Sequence, residues 1–298
     1  MSLKILKNVK LADYTSWLVG GEAEYFCLPE TLDDLKESIL FAQNQNLPKY
    51  ILGSGSNVLI SDHGIKGLTI CMRKFSKMQA VQEDGRLVIE AFSGTGKSEL
   101  LKIFLKHKLA PALFLAGLPG DIGGGVVMNT GVAEAYTPRE FMDFVDWIDV
   151  IHDDLQIKRI FKKDLKIKYR HTDGWQPGII VNVGLSWPLF EVPEILTQVK
   201  EANKIRLSKQ PLDMPSCGSV FKNPENHKAA QLIDQCGLKG FKIGDAQVSL
   251  KHANFIVNLN TAKAQDIWNV ILHVQNVVEK QTGVKLTTEV VRLGAWSS

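Results

Sequence analysis

The chain has 298 residues, of which 45% are hydrophobic, 22% charged and 8% aromatic, the make-up of a folded globular protein rather than a disordered or fibrous one. Thirty-five Lys and Arg against 32 Asp and Glu leave a net charge of +3, and the two signs are interspersed. No basic stripe for a nucleic acid or patch for a membrane surface results, so a small-molecule partner is expected; at roughly 150 residues per domain the length suggests about two domains.

Met1 to Trp17 alternates Lys and Asp with apolar residues and lacks the continuous apolar core of a signal peptide. Four cysteines, Cys27, Cys71, Cys217 and Cys236, contain no C-x-x-C pair. They read as reduced thiols of a cytoplasmic protein. Glu24 to Leu28 is a short apolar run, and Thr31-x-x-Asp34 is a capping box opening a helix with Leu32, Leu35, Ile39 and Ala42 on its apolar face. Tyr50 to Leu52 and Val58 to Ile60 are strand-like, which places Gly53-Ser54-Gly55-Ser56-Asn57 in a loop between two buried strands. Leu68 to Ala91 predicts two or three strands around a turn at Glu83-Asp84-Gly85, followed by a helix over Ser98 to His107.

Asp143 to Ile151 and Gln156 to Phe161 predict a hairpin. The longest uncharged stretch, Gly174 to Phe190, is broken by Pro177, Asn182 and Pro188, so it reads as a turn plus a buried strand over Ile179 to Trp187 rather than a membrane span. A helix over Pro193 to Leu207 leads to a domain boundary at Gln210 to Pro215. Beyond it strands are expected at Ser219 to Phe221, Asn254 to Asn258 and Lys285 to Leu293. One strong helix has Ile267, Val270, Ile271, Val274, Val277 and Val278 on one face and Gly283 as its stop. The fold class is α+β.

Six of the 24 glycines fall between Gly117 and Gly131, in GLPGDIGGGVVMNTG. Glycine admits positive φ and close backbone approach, and successive inward N–H groups form an anion nest. With Gly53 to Asn57, two such loops fit a diphosphate. The competing reading is tight turns and close packing. Neither loop has the G-x-G-x-x-G spacing of a dinucleotide fingerprint. Ala91 to Ser98 ends in Gly-Lys-Ser between an apolar strand and a helix, as in a phosphate-binding P-loop built on Lys97, but Ala91 replaces its first glycine. An exposed turn with Ser98 capping the helix is the favoured reading there. The seven histidines are scattered without metal-ligand spacing, and no metal site is expected.

GSGSN followed by VLISDHGIKGL, GLPGDIGGGVVMNTG, KYRH, QPLDMPSCGSVFKNP and GLKGFKIGDAQVSLKHANFIVN, in this order, resembles the UDP-N-acetylenolpyruvoylglucosamine reductase family, in its shorter branch lacking a tyrosine-bearing loop. The similarity runs from about Tyr14 to Leu293. It implies an FAD-binding region of the vanillyl-alcohol-oxidase (PCMH) type in two α+β subdomains, residues 1–75 and 76–207, and an α+β substrate-binding domain over 208–298. It further implies that FAD, with NADPH as co-substrate, reduces the enolpyruvyl ether of a UDP-sugar to the lactyl ether, by an enzyme expected to be a monomer. Leu18, Glu22, Val132 to Glu140 and Thr287-Thr288-Glu289 depart from the family pattern.

The resemblance also assigns roles. Arg170 matches the residue that stabilises the enolate, Ser219 the residue that protonates the carbanion, and Glu289 the glutamate that assists. FAD contacts fall on Gly53, Ser54, Gly55, Ser56, Asn57, Pro119, Gly123, Gly124, Gly125 and Asn129. Substrate contacts fall on Tyr169, Lys209, Lys222, Asn223 and His252, with Tyr136 a further candidate for the lining. Taken alone, each has an ordinary reading: Arg170 a turn arginine paired with a carboxylate, Ser219 a strand-edge serine, Glu289 an outward polar residue, and His252 a packed imidazole. Two other functions stay open on the residues: a P-loop hydrolase needing Lys97 and a non-catalytic nucleotide or flavin module. An alcohol oxidase of the same flavin fold would have little use for QPLDMPSCGSVFKNP. The reductase reading expects little effect of Lys97→Ala on turnover.

Overall fold

The computed structural model describes residues 3–132 and 136–296. In chain order the elements begin with β1 (Leu6–Lys10), β2 (Glu22–Cys27), α1 (Leu32–Asn44), β3 (Lys49–Leu52), β4 (Val58–Ile60), β5 (Ile65–Cys71), β6 (Met78–Glu83) and β7 (Arg86–Phe92). There follow α2 (Lys97–Lys106), α3 (Pro111–Leu115), α4 (Ile122–Val127), β8 (Val145–Ile151), β9 (Ile157–Phe161), β10 (Lys166–Lys168), β11 (His171–Asp173), β12 (Ile179–Pro188) and α5 (Ile195–Lys209). The chain ends with α6 (Ala229–Gln235), β13 (Lys242–Ile243), β14 (Ala246–Val248), β15 (Ile256–Asn258), α7 (Ala264–Thr282) and β16 (Val291–Leu293). Helices and strands mix throughout, as an α+β protein requires. Two compact units form: one from Cys27–Ser54 and Thr69–Ile205 with the first residues of the chain, the other from Leu6–Phe26, Gly55–Leu68 and the chain beyond Arg206.

The first unit is built on an antiparallel five-stranded sheet in the order β6-β7-β12-β8-β9. Leu87, Ile89 and Ala91 alternate along β7 and bury one face against Leu100, Phe104, Phe114 and Val126 of the helices. α1 opens with the expected capping box, Thr31 Oγ1 accepting from Asp34 N–H at 3.1 Å and Asp34 Oδ2 accepting from Thr31 N–H at 2.9 Å.

Two expectations fail here. The stretch from Gly117 to Gly131 is not all loop, because residues 122–127 form α4 with three consecutive glycines inside it. Glycine is a poor helix former, but a Cβ at Gly123 would stand 2.8 Å from Ser93 Cβ and one at Gly125 2.9 Å from the Phe141 ring. Packing overrides propensity. The predicted strands also omit the hairpin of β10 and β11, with Lys168 opposite His171, although the ordinary reading of Arg170 places it in a turn; Arg170 takes φ 56°, where a long side chain is strained by about 1–2 kcal/mol.

In the second unit β13, β14 and β15 form an antiparallel sheet against which α7 lays Ile267, Val270, Ile271, Val274 and Val278. Gly283 ends α7 at φ 72°, as expected. Asp62 accepts from Ala264 N–H and Gln265 N–H, both at 2.9 Å, and so caps α7. β1 pairs β2 antiparallel and β4 pairs β16 in parallel, Val58 opposite Val291. The strand expected at Ser219 to Phe221 reduces to a single bridge between Phe221 and Thr288, and Lys285 to Leu293 yields only β16 beyond that bridge. Side-chain amides, described below, supply the missing ladder.

Candidate functional site

Gly53 and Ser54 follow β3, and Asp121 joins them to α4. Its Oδ2 accepts from Ser54 N–H at 2.5 Å and from the Ser54 hydroxyl at 2.9 Å, and its Oδ1 accepts from Gly124 N–H at 2.6 Å. A Cβ on Gly53 would collide with this carboxylate. Gly123 N–H donates to the Ser93 carbonyl at 2.7 Å and Gly125 N–H to the Asp121 carbonyl at 3.0 Å. The N–H groups of Gly123, Gly124 and Gly125 are therefore committed within the protein and do not form the expected nest. At these three positions the close-packing reading holds. Beside Gly123 the Ser93 hydroxyl is buried without a protein partner among the described residues, as is the Thr172 hydroxyl on β11. Sequence reasoning gave no role to either residue or to Asp121: Ser93 and Asp121 lie in stretches read for their glycines and for Lys97, and Thr172 lies in no motif.

Lys97 contradicts both readings offered for it. It is 4% exposed, and its ammonium donates to the Pro119 carbonyl at 3.1 Å and to Thr130 Oγ1 at 3.4 Å, 5.8 Å from the Phe141 ring centre. Gly96, not Ser98, is the N-cap of α2. Burial lowers its pKa to about 8, with Asp121 opposing the shift. An amine turned inward onto the loop from Pro119 to Thr130 is a structural bracket rather than a phosphate ligand. Its removal must cost the fold, a cost separate from the little effect on turnover that the reductase reading expects.

Asn129 is fully buried. Its Nδ2 donates to Glu140 Oε2 at 2.7 Å and to the Lys168 carbonyl at 3.1 Å, and its Oδ1 accepts from Met142 N–H at 3.2 Å. The amide ties the end of α4 to the hairpin that carries Arg170. There the guanidinium Nη2 donates to the Gly131 carbonyl at 2.8 Å and the group lies 4.6 Å from the ring centre of the exposed Tyr169. His171 pairs with Asp173 at 2.8 Å on the same hairpin. Tyr136, also assigned to the lining, borders a depression with Leu113 and Ala202. Within the departure at Val132 to Glu140, Ala133 to Ala135 lie outside the described residues.

In the second unit the half-buried Ser219 and Glu289 lie on adjoining segments. Glu289 N–H donates to the Val220 carbonyl at 2.8 Å and Lys222 N–H to the Thr287 carbonyl at 2.9 Å. On the other side Val220 N–H donates to the Asn254 carbonyl at 2.9 Å, and the Asn254 side chain exchanges two bonds with the Phe221 backbone, at 2.9 and 2.8 Å. Asn254 thus acts as a strand in miniature, a role no sequence pattern signals. Asn57 donates from Nδ2 to the Glu289 carbonyl at 3.2 Å and accepts Val291 N–H at 3.1 Å. It therefore fixes the glutamate's backbone. Burial pushes the Cys217 thiol well up, and the Glu289 charge adds to the shift.

The substrate candidates divide. Lys222 neighbours Ser219 along the bridged segment, whereas the Asn223 side chain accepts from Ala229 N–H at 3.0 Å and serves the start of α6. Lys209 is exposed at the end of α5. His252 packs edge-on to Phe255, and its Nδ1 accepts from Asn254 N–H at 3.2 Å; burial, then Lys239, lowers its pKa. In this structure it is a packed imidazole. Among the described residues no cluster of His, Cys, Asp and Glu suits a metal, and no helix is long and apolar enough to cross a membrane.

Residues 210–293 match the family model described as UDP-N-acetylenolpyruvoylglucosamine reductase, C-terminal domain, and residues 23–160 match that of an FAD binding domain. UDP-N-acetylenolpyruvoylglucosamine reductases of Pediococcus pentosaceus and Listeria innocua are similar to the chain at 36% and 38% identity, the alignments covering 98% of the chain and 95% and 96% of those proteins. The crystal structure of UDP-N-acetylenolpyruvylglucosamine reductase from Thermus caldophilus superposes with a TM-score of 0.78 at 30% identity, covering 99% of this chain and all of the other.

Proposed function

The chain belongs to the UDP-N-acetylenolpyruvoylglucosamine reductase family, and from that premise we propose that it reduces the enolpyruvyl ether of UDP-N-acetylglucosamine to UDP-N-acetylmuramate with NADPH, in the cytoplasm, as a step of peptidoglycan precursor synthesis. It is an FAD-dependent oxidoreductase. The residues fit that cofactor: Ser93 and Thr172 bring buried hydroxyls with unmet hydrogen-bonding capacity into the first unit. Gly53 to Ser56 and Pro119 with Ser93 would hold it, Gly123 to Gly125, Asn57 and Asn129 acting through the segments they pack and tie. When bound, FAD carries a hydride from NADPH to the enolpyruvyl double bond.

The protein's own groups manage charge and the proton. As hydride reaches the β-carbon, negative charge builds on the substrate carboxylate, and the Arg170 guanidinium pairs with it through charge-assisted bonds. The Ser219 hydroxyl gives its proton to the α-carbon. A serine hydroxyl is a weak acid in water, but the carbanion is a strong base, so a positioned hydroxyl suffices. Glu289 assists Arg170 in steadying the intermediate. Lys222 contacts the UDP-sugar, with Tyr169 and Lys209 as further contacts.

The observation that carries this reading is the Glu289 N–H bond to the Val220 carbonyl, which sets the proposed proton donor and its acidic partner on paired segments of one unit. The chain has no G-x-G-x-x-G fingerprint to hold a nicotinamide dinucleotide at a site of its own, so NADPH and substrate use the flavin in turn. Initial rates at varied NADPH and fixed substrate levels should give parallel lines, as in a ping-pong scheme. Intersecting lines would contradict it.

A further inference from the structure

We propose that Gly131 is a positioning residue for Arg170: its bare backbone is the seat that fixes the guanidinium plane. The inference rests on the role given to Arg170 above. Three observations carry it. Arg170 is the second residue of a two-residue turn between Lys168 and His171, at φ 56°, a conformation a long side chain keeps only when its surroundings impose it. Two of the contacts that hold it come from one short segment: Asn129 Nδ2 donates to the Lys168 carbonyl, two residues before Arg170, and the Gly131 carbonyl accepts from Arg170 Nη2 at 2.8 Å. Finally, a Cβ added to Gly131 would stand 2.5 Å from Arg170 Nη1, with the Arg139 carbonyl at 3.0 Å and Glu140 Cγ at 3.3 Å.

Gly131 is not among the positive-φ glycines, so alanine suits its backbone and the penalty falls on what the methyl meets. The nearest atom is the end of a flexible side chain, and the cheapest relief is to move the guanidinium. That is the group whose orientation the reaction uses. A bidentate fork tolerates little rotation before one of its two bonds to a carboxylate is lost. The glycine is therefore required by Arg170, and the rest of the loop is set around it: Thr130 beneath by Lys97, Asn129 by Glu140, and Gly131 by its bridge to Glu140.

The test is a double-mutant cycle on the FAD-loaded enzyme, with both half-reactions followed by stopped-flow absorbance. Gly131→Ala should slow flavin reoxidation by the enolpyruvyl substrate about 10- to 100-fold, the scale of a small misplacement of a catalytic group. Bleaching by NADPH should stay within about twofold, and so should the effect of Gly131→Ala on reoxidation once Arg170→Ala is present, because neighbouring groups that act as one are not additive. Equal losses in both half-reactions, or the full loss repeated on the Arg170→Ala background, would overturn the seat while leaving Arg170 its role. If Arg170→Ala itself leaves reoxidation unchanged, the role and the seat fall together. Should Gly131→Ala fail to fold, Gly131→Ala/Arg170→Ala must fold, since the closest contact is gone; a double variant that also fails would assign the glycine to Arg139 and overturn the proposal.

Discussion

Arg170 in the first unit and Ser219 with Glu289 in the second are held in different ways. The arginine stands at the tip of a strained turn and is fixed by its own side chain, through the Gly131 carbonyl and the Tyr169 ring. Serine and glutamate are fixed through the backbone around them, by bonds among Val220, Phe221, Asn254, Asn57 and Glu289 itself. The contrast matches the two tasks proposed for these groups. A group that must meet a carboxylate in one plane gains from a side chain clamped in advance. A hydroxyl that must release a proton gains from a rigid backbone that leaves the side chain its reach.

The sharpest way to break this contrast is Ser219→Ala. If the backbone alone holds the segment, flavin reoxidation by substrate should fall about 10²- to 10⁴-fold, the usual scale for losing a general acid. The urea midpoint and bleaching by NADPH should stay as in the wild type; unchanged reoxidation would take the proton step from Ser219. Next in size is Lys97→Ala, beneath the loop that seats Arg170. Loss of a buried side chain with two partners predicts a destabilisation of about 2–4 kcal/mol by urea denaturation, where an exposed lysine would give almost none.

Lys97 also predicts a pH dependence. Burial holds the folded pKa at about 8, below the ordinary 10.5, so between these values the unfolded chain binds more protons than the folded one. Stability then rises with pH across that window. Urea midpoints of the wild type should climb relative to Lys97→Met from pH 8 to 10.5, and a constant difference would show that the amine does not titrate there. On the other side of the comparison, Asn254→Ala leaves two buried backbone groups of Phe221 without partners. It should cost about 1–3 kcal/mol and slow reoxidation more than bleaching. The smallest effect belongs to Asn223→Ala, where loss of a helix cap should cost about 1 kcal/mol and leave the substrate KM within twofold; a large rise in KM would return Asn223 to substrate binding.

Much of the frame was legible because its signals are local. Thr31 and Asp34 announce α1, the stripe from Ile267 to Val278 announces α7, and Gly53 to Asn57 falls between β3 and β4 as expected. What escaped depends on distant neighbours. Three glycines do not suggest a helix until Ser93 and Phe141 press against them, and a turn at Arg170 does not announce the short strands on either side of it or the Gly131 carbonyl that accepts its guanidinium. A lysine is expected at the surface, and nothing near Lys97 in sequence shows that Pro119 and Thr130 enclose it. Asn254 is silent because its amide replaces a strand, and side-chain ladders have no period to read.

The most direct test of the central claim is the visible absorption spectrum of the purified protein, followed anaerobically as NADPH and then UDP-N-acetylglucosamine enolpyruvate are added. A yellow protein that bleaches with NADPH and regains its colour with the enolpyruvyl substrate is the result the account predicts. A protein that stays colourless after incubation with FAD, or that bleaches and is not restored by that substrate, would contradict it.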